Sequence, residues 1–384
     1  MKESRADGQV QIQVPLSRPW FDEEEPRVAA EVVRSGWLIS GPIVAEFERR
    51  FDGRLGGVGA VAVNSGSSAL LVALAALGIG PGDDVLVPDM TFVSTATAAM
   101  FLGARPVFVD INLHNYCLDP HDAERKITPR AKVIIPVHYA GHAADMDDIM
   151  EVARRHGLRV LEDAAESHLA RYRGEAFTGT IGDVGIFSFT PSKPMTTGEG
   201  GMIVTADPDL ARRCRLLRDF ADIGKFQWEA LGFNFRMPEV MGAIGLVQLG
   251  KLDRAVTLRR AVAARYTEAL QDEEAVIPPT LRTPEDGNFQ LYTIRLRPER
   301  LAVDRDTVIR ELGARGVSAR LYYPTLHPQG VFARDGDRAG DAEVPNAVTF
   351  GRTALSLPIF PTLSTEEQEY VIAALRDVLQ AHRR

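Results

Sequence analysis

Between residues 58 and 206 the chain alternates short runs of β-branched and other apolar residues with amphipathic stretches, separated by turns. Val61–Val63, Asp84–Val87, Arg105–Asp110, Lys132–Pro136, Arg159–Asp163, Val184–Phe189 and Met202–Thr205 read as strands. Their near-continuous apolar character is that of strands covered on both faces. Ser68–Leu77, Val93–Leu102, Asp119–Lys126 and Met146–His156 read as helices between them. Such alternation implies an α/β unit with a large, mostly parallel sheet of seven strands, and places any ligand site at the carboxyl ends of the strands.

Pro238 opens a long helical pattern, with Val240, Met241, Ile244, Val247 and Leu252 at three-and-four spacing, running with a break into Arg254–Leu270. After Pro278–Pro279 the character changes to a strand at Leu291–Arg297, a helix at Arg305–Gly313, a strand at Ala319–Tyr322 and a helix opened by a capping box at Ser364–Glu367. The expected division is a large domain over 1–250, including an N-terminal arm, and a smaller C-terminal α+β domain over 251–384, joined through the long helix.

Composition narrows the function classes. With 45% hydrophobic and 25% charged residues in 384, the chain is an ordinary globular protein, long enough to need no disulfide or metal staple. A net charge of -8 argues against a surface built to neutralise nucleic acid or anionic lipid. Cys117 and Cys214 stand apart with no CxxC spacing, which fits a reduced compartment. The apolar stretch Ala69–Gly80 falls far short of a membrane span and no apolar run follows Met1, so the expectation is a soluble cytoplasmic protein.

Three constellations carry chemistry. Asn64-Ser65-Gly66-Ser67-Ser68-Ala69 follows a strand and opens a helix, where backbone N–H groups and hydroxyls can face a phosphate; a plain N-cap turn is the simpler reading. Neither GxxxxGK[ST] nor a GxGxxG after the first strand is present, so P-loop and dinucleotide sites lose their warrant. Leu161-Glu162-Asp163-Ala164-Ala165-Glu166 brings a carboxylate to the end of a buried strand, where it caps the next helix or pairs with a cation. Phe187-Ser188-Phe189-Thr190-Pro191-Ser192-Lys193, followed by Thr196-Thr197-Gly198-Glu199-Gly200-Gly201, places a lysine where it can be partly desolvated, as an amine nucleophile requires; a solvated loop lysine is the alternative. Taken together they supply a phosphate cradle, a carboxylate for a ring nitrogen and a Schiff-base lysine, the three needs of pyridoxal 5′-phosphate.

These segments, with GFNFRMPEVMGAIGLVQLGKLD at 232–253, FSFTPSKPMTTGEGG at 187–201 and VNSGSSALLVAL at 63–74, closely resemble the DegT-type sugar-nucleotide aminotransferases. The resemblance runs from SGWLISGP at 35–42 to LPIFPTLSTEEQ at 357–368. It implies a fold-type-I pyridoxal-phosphate transferase acting as a homodimer with active sites shared between subunits. Lys193 would bind the cofactor covalently and shuttle the proton, and Asp163 would pair with the ring nitrogen. Phe92, in Asp89-Met90-Thr91-Phe92, would stack on the ring, and as a sequence position it reads equally well as a core aromatic. Ser67, Ser68 and Ser188 would hold the phosphate, with Asn234 reaching in from the partner. Arg236, His327 and Tyr322 would face the substrate. Glu166 stands where many members carry Gln, and its role beside the cofactor is left open.

The implied reaction moves an amino group from an amino acid, with L-glutamate expected, to a keto sugar on a nucleotide diphosphate. VHYAG at 137–141 and SGWLISGP look most like the branch that aminates C-4. A 3-keto sugar nucleotide or inosose aminotransferase is the alternative, and a non-catalytic regulatory relative is disfavoured by Lys193 and Asp163. Dehydratase relatives carry histidine at the position of Lys193. His138 and His142 flank Tyr139-Ala140-Gly141 without the glutamate of a metal motif, so no metal is expected. The basic residues of Arg259–Arg265 read as a solvated helix face.

Overall fold

The computed structural model describes residues 13–224, 226–280, 286–332, 340 and 343–384; residues 1–12 of the expected N-terminal arm lie outside it. Its strands are β1 (Ala60–Val63), β2 (Asp84–Pro88), β3 (Arg105–Val109), β4 (Ala131–Ile134), β5 (Arg159–Asp163), β6 (Arg171–Tyr172), β7 (Ala176–Phe177), β8 (Val184–Ser188), β9 (Gly201–Val204), β10 (Val276–Ile277), β11 (Tyr292–Leu296) and β12 (Ala354–Leu357). Helices are α1 (Glu24–Ser35), α2 (Pro42–Arg54), α3 (Gly66–Ala76), α4 (Ser94–Phe101), α5 (Pro120–Arg125), α6 (Met146–His156), α7 (Pro208–Arg218), α8 (Glu239–Leu270), α9 (Arg305–Ala314), α10 (Pro345–Thr353) and α11 (Thr365–Ala381).

Seven strands form one sheet in the order β1-β9-β8-β5-β4-β2-β3. All pairings are parallel except those of β9, which runs antiparallel to both β1 and β8. The carboxyl ends of β1, β2, β5 and β8 therefore share one edge of the sheet, where a doubly wound fold binds its ligand. Pro106, which has no N–H to give a ladder, sits in the edge strand β3. Helix α6 shows how the sequence fixes its own limits. Asp147 and Asp148 occupy its first turn and Arg154, Arg155 and His156 its last, favouring the helix dipole, and Gly157 at φ 67° ends it in a left-handed cap.

The long helix has no break; α8 runs through 32 residues. Its glycines serve close packing, since a Cβ on Gly245 would stand 2.8 Å from the Phe47 ring and one on Gly242 2.9 Å from Val44. Helix α2 can therefore lie directly against α8. Leu249, Leu252 and Val256 join the core around Phe47, Phe187 and Phe189, whereas Val262, Tyr266 and Leu270 join the C-terminal core of β11, β12, α9 and α11. Val14 also packs in that C-terminal core, and Val344 and Phe350 pack beneath the large sheet. Arg259 overturns the expectation of a solvated face. It is 2% exposed, and Nη1 donates to the carbonyls of Phe289, Gln290 and Ile359, so burial is compensated by hydrogen bonds rather than by water.

A second difference concerns 319–322, expected as a strand. Arg320 and Ser356 exchange one pair of backbone hydrogen bonds and the ladder stops there. Residues 321–327 leave the small sheet, β10-β11-β12, and run as a strap toward the carboxyl edge of the large one. The capping box at Ser364 and Glu367 forms as read. Both cysteines are free and buried, with thiols pushed up to about 12 by burial. No helix among the described residues is long and apolar enough to cross a membrane.

Candidate active site

At the shared strand edge lies a cavity of about 340 Å³, lined by residues from four strand ends and from the strap. The end of β1 and the start of α3 contribute Ser65, Gly66 and Ser67. Ser65 is the N-cap, its hydroxyl accepting the Ser68 N–H at 3.1 Å. Ser67 is exposed and its Oγ meets Ser94 Oγ at 2.7 Å, which puts two hydroxyls and a helix N-terminus on one wall. From β8 comes Ser188, packed so closely on Gly66 that a Cβ there would stand 2.8 Å from it. Ser68 is turned away from this wall. Its Oγ bonds Asn64 Oδ1 at 2.7 Å and it does not line the cavity.

Asp163 ends β5 and enters the cavity while only 5% exposed. Burial pushes its carboxyl above the ordinary value, opposed by Thr95 Oγ1 at 2.9 Å, the Ala165 N–H at 3.2 Å and the charge of Lys193. Thr95 is in turn 3.0 Å from Thr91. A carboxylate so placed is best held as an anion by a cation facing it.

Lys193 follows the β8 strand end, its backbone N–H closing a turn on Thr190 O. Its Nζ lies 3.1 Å from Glu166 Oε1, and both side chains are more than nine-tenths buried. Glu166 also accepts the Tyr323 hydroxyl at 2.8 Å on Oε1 and the Ala140 N–H at 2.8 Å on Oε2. Phe92 stands 53% exposed at the cavity rim, its ring 5.7 Å from that of Tyr323. Tyr322 also lines the cavity, while its carbonyl accepts a short hydrogen bond from Tyr139.

Of the residues singled out in the sequence, Ser67, Phe92, Asp163, Glu166, Ser188, Lys193 and Tyr322 meet in this cavity. Asn234 is exposed and outside it, bridged to Asp219. Arg236 lines a separate cavity of about 240 Å³ with Ser40, Glu48 and Arg218; it pairs with Asp219 and lies 4.9 Å over the Phe220 ring. His327 is buried against Asp89 rather than in the cavity lining. His138 bonds Glu162 through Nε2 at 2.8 Å and receives the Ala144 N–H on Nδ1, so it serves the core. Ser65 lines the cavity as part of the run read as a phosphate cradle, and Thr91 stands in the turn that carries Phe92; the cavity residues that the sequence reading did not name are Ser94, Thr95 and Tyr323. Only the density of small hydroxyl residues after a strand, Thr91-Phe92-Val93-Ser94-Thr95, signalled Ser94 and Thr95.

These residues fit pyridoxal 5′-phosphate: a hydroxyl-rich helix start suits a phosphate, the buried carboxylate suits a ring cation, and the amine lines the same cavity as both. The profile of the DegT/DnrJ/EryC1/StrS aminotransferase family matches residues 19–376. A GDP-perosamine synthase of Caulobacter vibrioides is 40% identical over 370 residues, covering 95% of this chain and 98% of its own. A dTDP-3-amino-3,4,6-trideoxy-alpha-D-glucose transaminase of Streptomyces venezuelae is 39% identical, covering 92% of each. The crystal structure of S. venezuelae DesV in complex with a ketimine intermediate superposes with a TM-score of 0.88 at 37% identity, over 96% of this chain and 98% of that one.

Proposed function

The chain belongs to the DegT/DnrJ/EryC1/StrS aminotransferase family and is a pyridoxal-phosphate-dependent nucleotide-sugar aminotransferase, and from that premise we propose that it aminates C-4 of a 4-keto sugar with L-glutamate as donor. The observation that carries the chemistry is the convergence of Lys193, Asp163 and Glu166 in one cavity. Bound pyridoxal phosphate supplies an aldehyde that carries the amino group and a ring that takes up the electron pair freed at the adjoining carbon.

This chain's residues do the rest. With the cofactor bound, the Lys193 amine would take and return the proton at the substrate carbon, and Glu166, 3.1 Å from Nζ, would orient it. Asp163, fixed by Thr95, keeps a cationic ring nitrogen charged while negative charge develops, which lowers the barrier rather than merely binding. Ser67 and Ser188 would take the phosphate and Phe92 the ring face, a reading supported by their common place in the cavity lining. The C-4 preference rests on VHYAG, whose Val137 lines the cavity and whose Ala140 N–H holds Glu166.

Two copies complete the site in this reading. Asn234 and Arg236 stand outside the cavity, in a segment that also exposes Phe226 (81%), Trp228 (62%) and Leu231 (94%), large apolar side chains of the kind that mark an interaction surface. A C2 dimer would bury it and carry those two residues to the partner's cavity.

The 39% identical relative whose name specifies a 3-amino sugar supports a second reading, amination at C-3. Incubating the holoenzyme with L-glutamate and matched 3-keto and 4-keto nucleotide sugars, then locating the new nitrogen by NMR, separates the two. Nitrogen at C-4 is expected. Turnover of the 3-keto set alone would overturn the C-4 assignment.

A further inference from the structure

The strap 321–327 is tied to the turn after β2 by an unusual density of bonds at one end. Asp89, fully buried, accepts the His327 N–H on Oδ1 at 2.7 Å and lies 2.8 Å through Oδ2 from His327 Nδ1. Its carbonyl accepts the Leu326 N–H at 2.8 Å, and Met90 pairs with Thr325 in an antiparallel bridge. Carried two residues further, that register sets Phe92 opposite Tyr323, and the two rings do meet, at 5.7 Å and 59°. Tyr323 then donates to Glu166, which holds Lys193.

We propose that Asp89 and His327 form a clamp that fixes the Phe92–Tyr323 wall of the cavity, so that His327 is a positioning residue acting through Nδ1 and not a contact of the sugar. The inference rests on the aminotransferase reading and adds a specificity device to the same site. An ionised carboxylate only accepts, so Nδ1 carries the hydrogen, and the imidazole is oriented by that bond. Two hydrogen bonds from one residue to one buried carboxylate fix the end of the strap in both translation and rotation. A strap held at 327 presents Tyr323 at a set height over Glu166; a loosened one lets ring and hydroxyl drift from both partners.

The side-chain amides separate the alternatives. The amide nitrogen of asparagine stands where Nδ1 stands, and that of glutamine where Nε2 stands. The holoenzymes of His327→Asn, His327→Gln and His327→Ala are compared by the visible circular dichroism of the bound cofactor without substrate, and by the single-turnover rate with L-glutamate and no sugar. H327N should keep the wild-type band and a rate within about threefold. H327Q and H327A should weaken the band and slow the half-reaction by about tenfold or more, the worth of a hydrogen bond to a charged group. If H327A does not fold, H327N against H327Q decides, because both keep bulk and polarity. H327N with a raised KM for the nucleotide sugar, while H327Q keeps the wild-type band, half-reaction and KM, would mean direct contact through Nε2 and overturn the clamp. Three variants all like the wild type would overturn it as well. The dichroism needs neither donor nor acceptor, so failure to turn over a 4-keto sugar refutes the functional reading and leaves this comparison standing.

Discussion

Glu166 presents both of its oxygens to donors, and one of those donors is Lys193: Nζ lies 3.1 Å from Oε1, beside the Tyr323 hydroxyl, while Oε2 takes the Ala140 N–H. Three donors converge on this side chain, which is why a carboxylate suits the position. Glutamine would accept at one end only, and its NH2 would face either a backbone N–H or the lysine.

Glu166→Gln should therefore destabilise the protein even though it is nearly isosteric. Leaving a buried donor unmet costs roughly 1–3 kcal/mol, readable as a lowered urea midpoint at unchanged slope. The kcat should fall as well, since a neutral acceptor orients the Lys193 amine less firmly. Wild-type stability for the variant would show that the amide finds partners the carboxylate does not use.

Thr95→Val tests how Asp163 is held. The Asp163 carboxyl lies above its ordinary value because of burial, with Thr95 among the groups that oppose the rise. A carboxyl raised in the folded state binds extra protons there, so its contribution is complete below the unfolded pKa and is lost as pH rises through the folded one. Removing the Thr95 bond raises it further. The stability gap between the variant and wild type, both free of cofactor, should thus widen from about pH 4 toward neutrality, by roughly 1.5–3 kcal/mol. In an Asp163→Asn background the widening should vanish. A gap that stays constant with pH would mean that Thr95 only packs.

Much of this site was legible because its residues sit at strand ends, and period and apolar character locate strand ends well. Strand ends drew attention to Asp163 and Lys193, with a helix cap and a solvated loop lysine as the readings beside them, while Ser188 took its role from the resemblance; β5 and α6 have the bounds the pattern gave. What escaped depends on tertiary contacts. The strand β12 is four buried residues, too short to show a period, and Ala319–Tyr322 looks like a strand until the strap peels away after a single pair at Arg320. Arg259 reads as solvent-facing by type, yet three backbone carbonyls, two from the segment before β11 and one from the segment after β12, receive it. His327 is near the cavity in sequence terms, but only the register of the strap on the β2 turn shows that it faces Asp89.

The proposal of a site shared between subunits makes the sharpest prediction, because Asn234 and Arg236 lie outside the cavity that Lys193 occupies within one chain. In a two-fold dimer every contact from one subunit is returned by the other. Suppose Lys193→Ala protein is mixed and re-annealed with an Asn234→Ala, Arg236→Ala protein, each inactive alone. If the residues serve across the interface, one site of the mixed dimer collects every lesion and the other has none. Random exchange makes about half the dimers mixed, each with one of two sites intact, so about a quarter of wild-type activity should return. If all three residues served one chain's own site, every site in the mixed dimer would keep a lesion and activity would stay at the level of the parents. Native mass spectrometry of the mixture fixes the proportion of mixed dimers, so a missing recovery with exchange demonstrated would return Asn234 and Arg236 to their own subunit.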